Sequence, residues 1–376
     1  MAKLASPPNT LATDLGRTAP QRPVSPVSSA AADPPNYFRP PRQISRRQVL
    51  PPAPKQAWRK AIPVKLEPDA TTGEARSRIA AACLTHLRGN EACLLARAHP
   101  EGAHQLRVAL RRLRSFLRLF ANAFPERQNK FFVREGKWLL KRLAGARDWD
   151  VFLDEILRPV ENRHKNDAAF RALRAEAERA RDTAYAEASA AIRSRRYDRF
   201  AAELAAWAAG DDTQSPPVAD APAGTPVRTL AWHLIARHRR KISAAGRRIG
   251  DMNEKERHRL RIRIKRLRYS VDMLESLFVR RRVEAWLKVL SDLQDTLGAF
   301  NDIVLGRHLL AQLTADSGSP GAKERYYAAG LVIGWHAHRV RNRDKSLKKA
   351  LRKFAALPPL LKNTLKAAGG ERHPGG

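Results

Sequence analysis

A row of basic side chains recurs every three or four residues between positions 104 and 118. Its members, which we call the first basic row, are His104, Arg107, Arg111, Arg114 and Arg118. On a helix that turns by about 100° per residue, the four arginines fall within an arc of about 60° beside the histidine. Aligned guanidinium groups suit phosphate oxygens, which they bind through paired hydrogen bonds. The row therefore indicates a helix that binds a polyanion.

A second row of the same kind follows later in the chain. Its members, which we call the second basic row, are His258, Arg261, Lys265 and Arg268. Arg112 and Arg266 occupy matching positions at the flanks of the two rows, where they are candidates for additional ligand contacts.

The sides opposite the two rows are apolar, which predicts that each segment is an amphipathic helix with one buried face. The apolar residues are Leu106, Leu110, Leu113, Leu117 and Phe120 in the first segment, and Leu260, Ile264, Leu267 and Val271 in the second. Like charges three or four residues apart destabilise an isolated helix by about a few tenths of a kcal/mol per pair. Almost no acid intervenes, and Asp272 lies just past the second row. We therefore expect a bound anion to screen the rows.

Each histidine lies near the predicted start of its helix. Pro100 and Glu101 suit the first positions of one helix, and Asn253 followed by Glu254 is typical of a capped start before His258. The helix dipole favours an anion at this end. It should also keep each imidazole neutral until a phosphate group favours the protonated form.

The two rows belong to an internal duplication. His258 follows His104 by 154 residues, and the same interval separates Leu143 from Leu297 and Asp148 from Asp302. A constant interval over more than 40 residues without a gap indicates two related halves. We predict that each half is a small antiparallel helical bundle.

The charge balance agrees with an anionic partner. Lys and Arg total 71 against 37 Asp and Glu, a formal net charge of +34. A biased genome is the alternative source of many arginines, although it does not by itself arrange them in repeated rows. Cys83 and Cys93 lie in a helical pattern and are typical of packing residues in a reducing compartment. With neither a membrane-length apolar run nor a secretory signal, we expect a cytoplasmic protein without a membrane partner.

Composition separates a helical region from an N-terminal segment rich in Pro, Ser and Arg. No alternating β pattern occurs, so the predicted fold class is all-α. Segments rich in Pro, Ser and Gly are expected to be disordered or to form linkers. The predicted parts are a basic arm at 1–65, a helical domain at 66–365 with halves at about 70–209 and 227–360, a linker at 210–226 and a tail at 366–376.

The doubled histidine motif resembles the CHAD family, the conserved histidine α-helical domain, over about residues 66–360. The resemblance is carried by His-x-x-Arg-x-x-x-Arg-Arg-x-Arg at 104–114, by its partner at 258–268 with Lys265 in place of one arginine, and by the Leu/Gly/Asp segments ending at Asp148 and Asp302. It implies two pseudo-symmetric bundles whose basic helices line a central groove or pore. It also implies binding of inorganic polyphosphate and, in bacteria, association with polyphosphate granules.

The family's ligand positions transfer to this chain residue by residue. The resemblance assigns ligand contacts to His104, Arg107, Arg111, Arg112, Arg114, His258, Arg261, Lys265, Arg266 and Arg268. Many relatives also carry a triphosphatase domain marked by Glu-x-Glu-x-Lys, which this sequence lacks. We therefore expect a binding protein without enzymatic activity, cofactor or metal.

Other candidate sites have ordinary alternatives. Asp148, Asp150 and Asp302 are conceivable metal ligands, but Gly145 indicates a helix stop and a new start, so capping or arginine pairing is the favoured interpretation. Two histidine pairs lack the spacing that places metal ligands on one helix face; they are His233 with His238, and His336 with His338. Whether Lys137, Lys141 or Lys288 extends the basic surface stays open.

Two competing functions remain besides polyphosphate binding. A basic all-α protein can hold nucleic acid, or another polyanion, through its phosphate backbone. The rows lack the interleaved aromatic residues of single-strand binders and the Asn or Gln residues that read bases in the major groove. A phosphate-transfer or hydrolytic enzyme would need carboxylates that converge on a metal.

Overall fold

The structure, a computed structural model, describes residues 58–210, 226–340 and 343–361. Within these ranges the regular structure is helical and contains no strand, which confirms the all-α prediction. None of the described helices combines the length and the hydrophobicity of a membrane-spanning segment. The predicted C-terminal tail lies outside the described residues, and so do most of the arm and of the linker.

Within the described ranges, neighbouring helices are joined by short segments. In chain order they are α1 (Thr72–Leu95), α2 (Glu101–Leu119), α3 (Glu126–Arg142), α4 (Ala144–Val151), a π-helical turn (Phe152–Leu157), α5 (Arg158–Glu161), α6 (Ala168–Ile192), α7 (Arg195–Ala209), α8 (Val227–Arg247), α9 (Glu254–Met273), α10 (Arg280–Leu313), α11 (Ala322–Val340) and α12 (Arg343–Ala356).

Helices α2 and α9 contain the two basic rows and begin where the sequence predicts. The side chain of Asn253 accepts a hydrogen bond from the backbone N–H of Glu256 at 3.0 Å, and Glu256 Oε2 accepts one from the backbone N–H of Asn253 at 3.0 Å. This reciprocal cap satisfies two backbone donors at the start of α9 and confirms the predicted capped start. The first residue of α2 is Glu101, directly after Pro100, which makes no side-chain cap.

The apolar faces of α2 and α9 are buried, as predicted. Leu106, Leu110, Leu113 and Leu117 are fully buried on α2, and so are Leu260, Ile264, Leu267 and Val271 on α9. Each such side chain contributes about 1.5–3 kcal/mol by leaving water. Helix α2 packs against α1, α3 and α9, while α9 packs against α8, α10 and α2. The two helices with basic rows are therefore neighbours, each backed by its own partners.

The hydrophobic core does not divide at the linker. One large cluster joins Leu87 and Leu113 of the first half to Trp286 and Phe354 of the second. A smaller cluster also draws on both halves, joining Phe152 and Phe170 to residues of α10 and α11. The described helices of the two halves thus share their cores.

The segments that follow the basic helices differ between the halves. In the first half α3 ends at Arg142 and α4 begins at Ala144, so Asp148 lies inside α4. The aligned second-half segment lies within α10, a continuous helix of 34 residues. The prediction that Gly145 marks a helix stop was therefore wrong. The break occurs at Leu143, and Asp148 does not cap a helix.

Candidate anion-binding site

A basic cavity of about 390 Å³ lies between α2 and α9. Its charged lining comes from both rows and from Arg266 at the flank of the second row, and it contains, among the described residues, no aspartate or glutamate. The lining residues are Arg107, Arg111, Arg114, Ser115 and Arg118 of α2, Leu140 of α3, and His258, Arg261, Ile262, Lys265, Arg266 and Tyr269 of α9. Because the helices turn their apolar faces toward the core, their basic faces meet across this cavity.

Several guanidinium nitrogens in the cavity have no hydrogen-bond partner. Among the described residues this holds for Nε and Nη1 of Arg107 and for Nε of Arg114 and Arg261, all of which are buried. A buried polar group without a partner costs about 1–3 kcal/mol, and more when it is charged. An anion in the cavity would supply the acceptors that these donors lack.

Burial and mutual repulsion lower the pKa of the cavity cations. Burial, followed by the charge of Arg111, lowers the pKa of Arg107 to about 10. Burial also lowers the pKa of Arg114 to about 10, with Arg118 the next cause. Lys265 is affected most among the lining residues, since burial and then Arg261 lower its pKa to about 7. Burial and neighbouring cations thus disfavour positive charge in the cavity, and an anion there would favour it.

One carboxylate stands behind each row. Asp148 Oδ1 lies 3.7 Å from Arg107 Nη2, which is an ion pair but exceeds hydrogen-bond range. Asp302 is the opposite charge that acts most strongly on Arg261. Burial raises the pKa of both carboxyl groups, and the arginines beside them oppose this shift. The arginine-pairing interpretation therefore fits Asp148, whereas Asp150 accepts a hydrogen bond from the Tyr185 hydroxyl at 2.8 Å.

Three predicted ligand residues do not line the cavity. The guanidinium of Arg112 is buried and paired with Asp272. Arg268 donates a hydrogen bond from Nη1 to Gln294 Oε1 at 3.1 Å. His104 is half-buried, and burial lowers its pKa to about 4, with the charge of Arg147 the next cause. Its imidazole is neutral at pH 7, as predicted, but through burial and neighbouring cations.

Two lining residues had a signal in the sequence that our prediction missed. Ser115 follows His104 by 11 residues, and Tyr269 follows His258 by the same interval. Eleven residues are close to three helical turns, so both side chains fall on the same face as their row. Lys137, Lys141 and Lys288, by contrast, are not among the lining residues.

A larger cavity of about 650 Å³ adjoins the basic one and shares His258 and Arg261 with it. Side chains of α10, including Leu297, Phe300 and Val304, form an apolar part of its lining. The corresponding surface of the first half is covered, because α6 packs against α4 there. No group of three or more His, Cys, Asp or Glu side chains that could hold a metal ion occurs in the described part of the chain.

Comparison with known proteins gives a consistent family match. Residues 78–311 match the CHAD domain. The crystal structure of the CHAD domain from the plant Ricinus communis is similar to this chain with a TM-score of 0.67 and 28% sequence identity, covering 80% of this chain and 98% of the plant domain. PptA from Streptomyces chartreusis has a TM-score of 0.55 at 18% identity, covering 75% of this chain and 100% of PptA. The likeness to PptA shows the shared fold alone.

Two curated sequences from Mycobacterium tuberculosis strains, both described as uncharacterized proteins, are also similar. Each is 26% identical over 265 residues, which are 68% of this chain and 48% of the relative. The chain thus spans about half the length of the curated relatives it matches.

Proposed function

The chain belongs to the CHAD family, and from this premise we propose that it binds inorganic polyphosphate in the basic cavity without chemically altering it. The observation that supports the proposal most directly is the lining of the cavity. Six arginines and one lysine from two helices surround a space of about 390 Å³ that no acid lines among the described residues. Four buried guanidinium nitrogens there have no hydrogen-bond acceptor among the described residues.

The size of the cavity favours a thin polyanion over a nucleic-acid duplex. Its volume falls in the range of small-ligand sites, about 300–1,000 Å³. A chain of phosphate groups without bases can enter such a space and present charged oxygens on every side. A duplex would instead need an open basic surface that follows its backbone. We therefore place duplex DNA second as a ligand.

We propose binding without turnover because of the charge of the lining. Phosphate transfer needs a group that positions or activates the nucleophile, commonly with a metal ion. The carboxylates of Asp148 and Asp302 interact with arginines of the rows, Asp148 with Arg107 and Asp302 with Arg261. In this arrangement they orient the guanidinium groups toward the ligand.

We further propose that the duplicated halves are pseudo-symmetric bundles around this site, with the cavity as part of a central groove. The basic arm at 1–65 would add a further polyanion contact, and the protein would act at polyphosphate granules in the cytoplasm. Fluorescence microscopy of the tagged protein beside a polyphosphate stain tests the location. A diffuse signal in cells that contain granules would contradict it.

Titration of the purified protein tests the binding proposal. The ligands are long-chain polyphosphate, tripolyphosphate and duplex DNA, each at low and at physiological salt. We expect polyphosphate binding to strengthen with chain length and to withstand salt better than DNA binding does. Equal affinity for DNA would favour the nucleic-acid alternative, and metal-dependent release of phosphate would favour an enzyme.

A double charge reversal tests the site itself. Arg107→Glu with Arg261→Glu should lower polyphosphate affinity by more than about a hundredfold, because it replaces one central cation of each row. The matched control is Arg127→Glu with Arg193→Glu, which makes the same charge change at exposed residues outside the cavity. Far-UV circular dichroism checks that both variants stay helical. Unchanged binding in the first variant would remove the site assignment.

A further inference from the structure

The basic cavity differs at its two flanks, although the sequence duplication relates them. Arg112 aligns with Arg266, and Arg118 aligns with Asp272, each at the interval of 154 residues. At one flank Arg112 is paired with Asp272. At the other, Arg266 faces Arg118, and these like charges repel. The second flank has Arg118 at the position where the first flank has the acid Asp272, so the positive charge of Arg266 is not neutralised there.

Another cavity begins at this unneutralised flank. Its volume is about 370 Å³, and it shares Arg118 with the basic cavity. Its other ionisable lining residues are Arg237, His238 and Lys241 of α8, which we call the α8 basic patch. A further cavity, of about 540 Å³ between α8 and α9, shares Lys241 and is lined by Arg263 and also by the acid Glu256. Cavities that share basic residues thus lead from the α2–α9 interface onto α8.

The α8 basic patch stands among further cations. His238 is faced by Lys241 and Arg237 of its own helix and by Arg266 and Arg263 of α9, and these charges add to burial in lowering its pKa. Among the described residues none of these four cations forms an ion pair with an acid. Arg237, Lys241 and Arg263 are exposed, so a ligand can reach them from solvent. The patch therefore has the same charge character as the basic cavity but a more open surface.

We propose that the α8 basic patch is a second polyphosphate-binding site, which holds the part of a long chain that leaves the basic cavity past Arg118 and Arg266. The inference rests on the proposed function and adds a basis for chain-length preference. A short polyphosphate is held by the basic cavity alone. A long chain also contacts α8, and because it is already held in the cavity, this second contact forms at a high effective concentration.

A double variant on α8 separates the two sites. Arg237→Glu with Lys241→Glu should weaken long-chain polyphosphate binding by about tenfold and reduce its dependence on salt, because fewer phosphate groups are neutralised. Tripolyphosphate affinity should change by less than about twofold relative to the control. That control is Arg240→Glu with Arg247→Glu, which makes the same charge change on exposed residues of the same helix outside these cavities.

The possible outcomes are distinct. Equal losses for long and short chains, or equal losses in the variant and its control, would overturn the second site and indicate a general effect of net charge. If the wild-type protein binds long chains and Arg107→Glu with Arg261→Glu abolishes this, an unchanged α8 variant overturns the second site alone. If the wild-type protein binds no polyphosphate, the proposed function itself fails. Should the charge reversals unfold the protein, Arg237→Gln with Lys241→Gln makes the same comparison.

Discussion

The first and second basic rows contain related residues at an interval of 154 positions, but they lie in different surroundings. Arg107 and Arg261 match, and each stands before a carboxylate. Elsewhere the rows differ: Lys265 aligns with Arg111, and Asp272 aligns with Arg118. Aligned histidines differ as well, since His104 is half-buried beside α4, whereas His258 is exposed and lines two cavities.

The conserved and the altered positions of the duplication therefore have different roles. The matched arginines supply fixed positive charge from both sides of the cavity. Among the altered positions, Asp272 neutralises Arg112 and Lys265 has a pKa near neutrality. Arg118 lines the flank from which we propose that a long ligand leaves the cavity. Packing of α6 contributes to the contrast. A Cβ atom on Gly145 would lie 3.0 Å from the Ala184 Cβ of α6, whereas one on Gly298 of α10, one residue before the position aligned with Gly145, meets no described atom within 4 Å.

Of the differences between the rows, the one between Arg118 and the aligned Asp272 should have the largest effect on the stability of the free protein. Asp272→Ala leaves the buried guanidinium of Arg112 without its partner and should lower the free energy of unfolding by about 2 kcal/mol, less than for a fully buried pair because Asp272 is partly exposed. Arg118→Ala removes a repulsive charge and should change this free energy by less than about 0.5 kcal/mol. Urea denaturation in phosphate-free buffer measures both.

Equal destabilisation by the two variants would contradict the contrast between the flanks. The same measurement with polyphosphate present sharpens it. Ligand should stabilise Asp272→Ala as much as the wild-type protein, because the pair lies outside the cavity lining. It should stabilise Arg118→Ala less, since that change removes a lining cation.

Helical periodicity and the duplication allowed the cavity lining to be predicted in large part. The wheel placed Arg107, Arg111, Arg114 and Arg118 on one face, and the repeat indicated a matching helix. The same reasoning placed the apolar faces correctly. Local periodicity states which residues share a face, and it is strongest where a helix is amphipathic.

The remaining features depend on contacts between distant residues. Arg112 falls at the flank of its row on the wheel, but its partner Asp272 lies 160 residues away in the sequence. Arg268 turns to Gln294 of α10 for a similar reason. The α8 basic patch gave no signal, because its importance comes from the packing of α8 beside α9. The sequence did not indicate the helix break at Leu143, since the aligned segment of the second half continues as helix in α10.

Because the second row has Lys265 where the first row has Arg111, polyphosphate binding should depend on pH. The pKa of Lys265 is about 7 in the free protein, and a polyanion favours its charged form. Above pH 7 binding therefore takes up a proton, and affinity falls as pH rises, by at most about tenfold per pH unit for one group. Lys265→Arg stays charged and should bind with a flatter pH profile between 7 and 8.5.

Calorimetric titration in two buffers with different ionisation enthalpies measures this proton uptake directly. The wild-type protein should take up close to one proton at pH 8.5, and Lys265→Arg should take up clearly less. The stability of the free protein should change with pH in the opposite direction to the affinity. Above pH 7 the unfolded chain keeps this proton up to the ordinary lysine pKa, whereas the folded protein loses it, so the free energy of unfolding rises with pH. Identical proton uptake by both proteins would remove Lys265 as the source.

The contrast between the two histidines should have the smallest effect. Since burial lowers the pKa of His104 to about 4 and this residue does not line the cavity, its imidazole adds no charge to the site at neutral pH. His104→Gln should therefore change polyphosphate affinity at pH 7 by less than about twofold. His258→Gln removes a lining side chain and should weaken binding by about threefold, as for the loss of one hydrogen bond. Parallel titrations of both variants at pH 7 measure the difference, and a larger loss for His104→Gln would reverse the assignment of the two histidines.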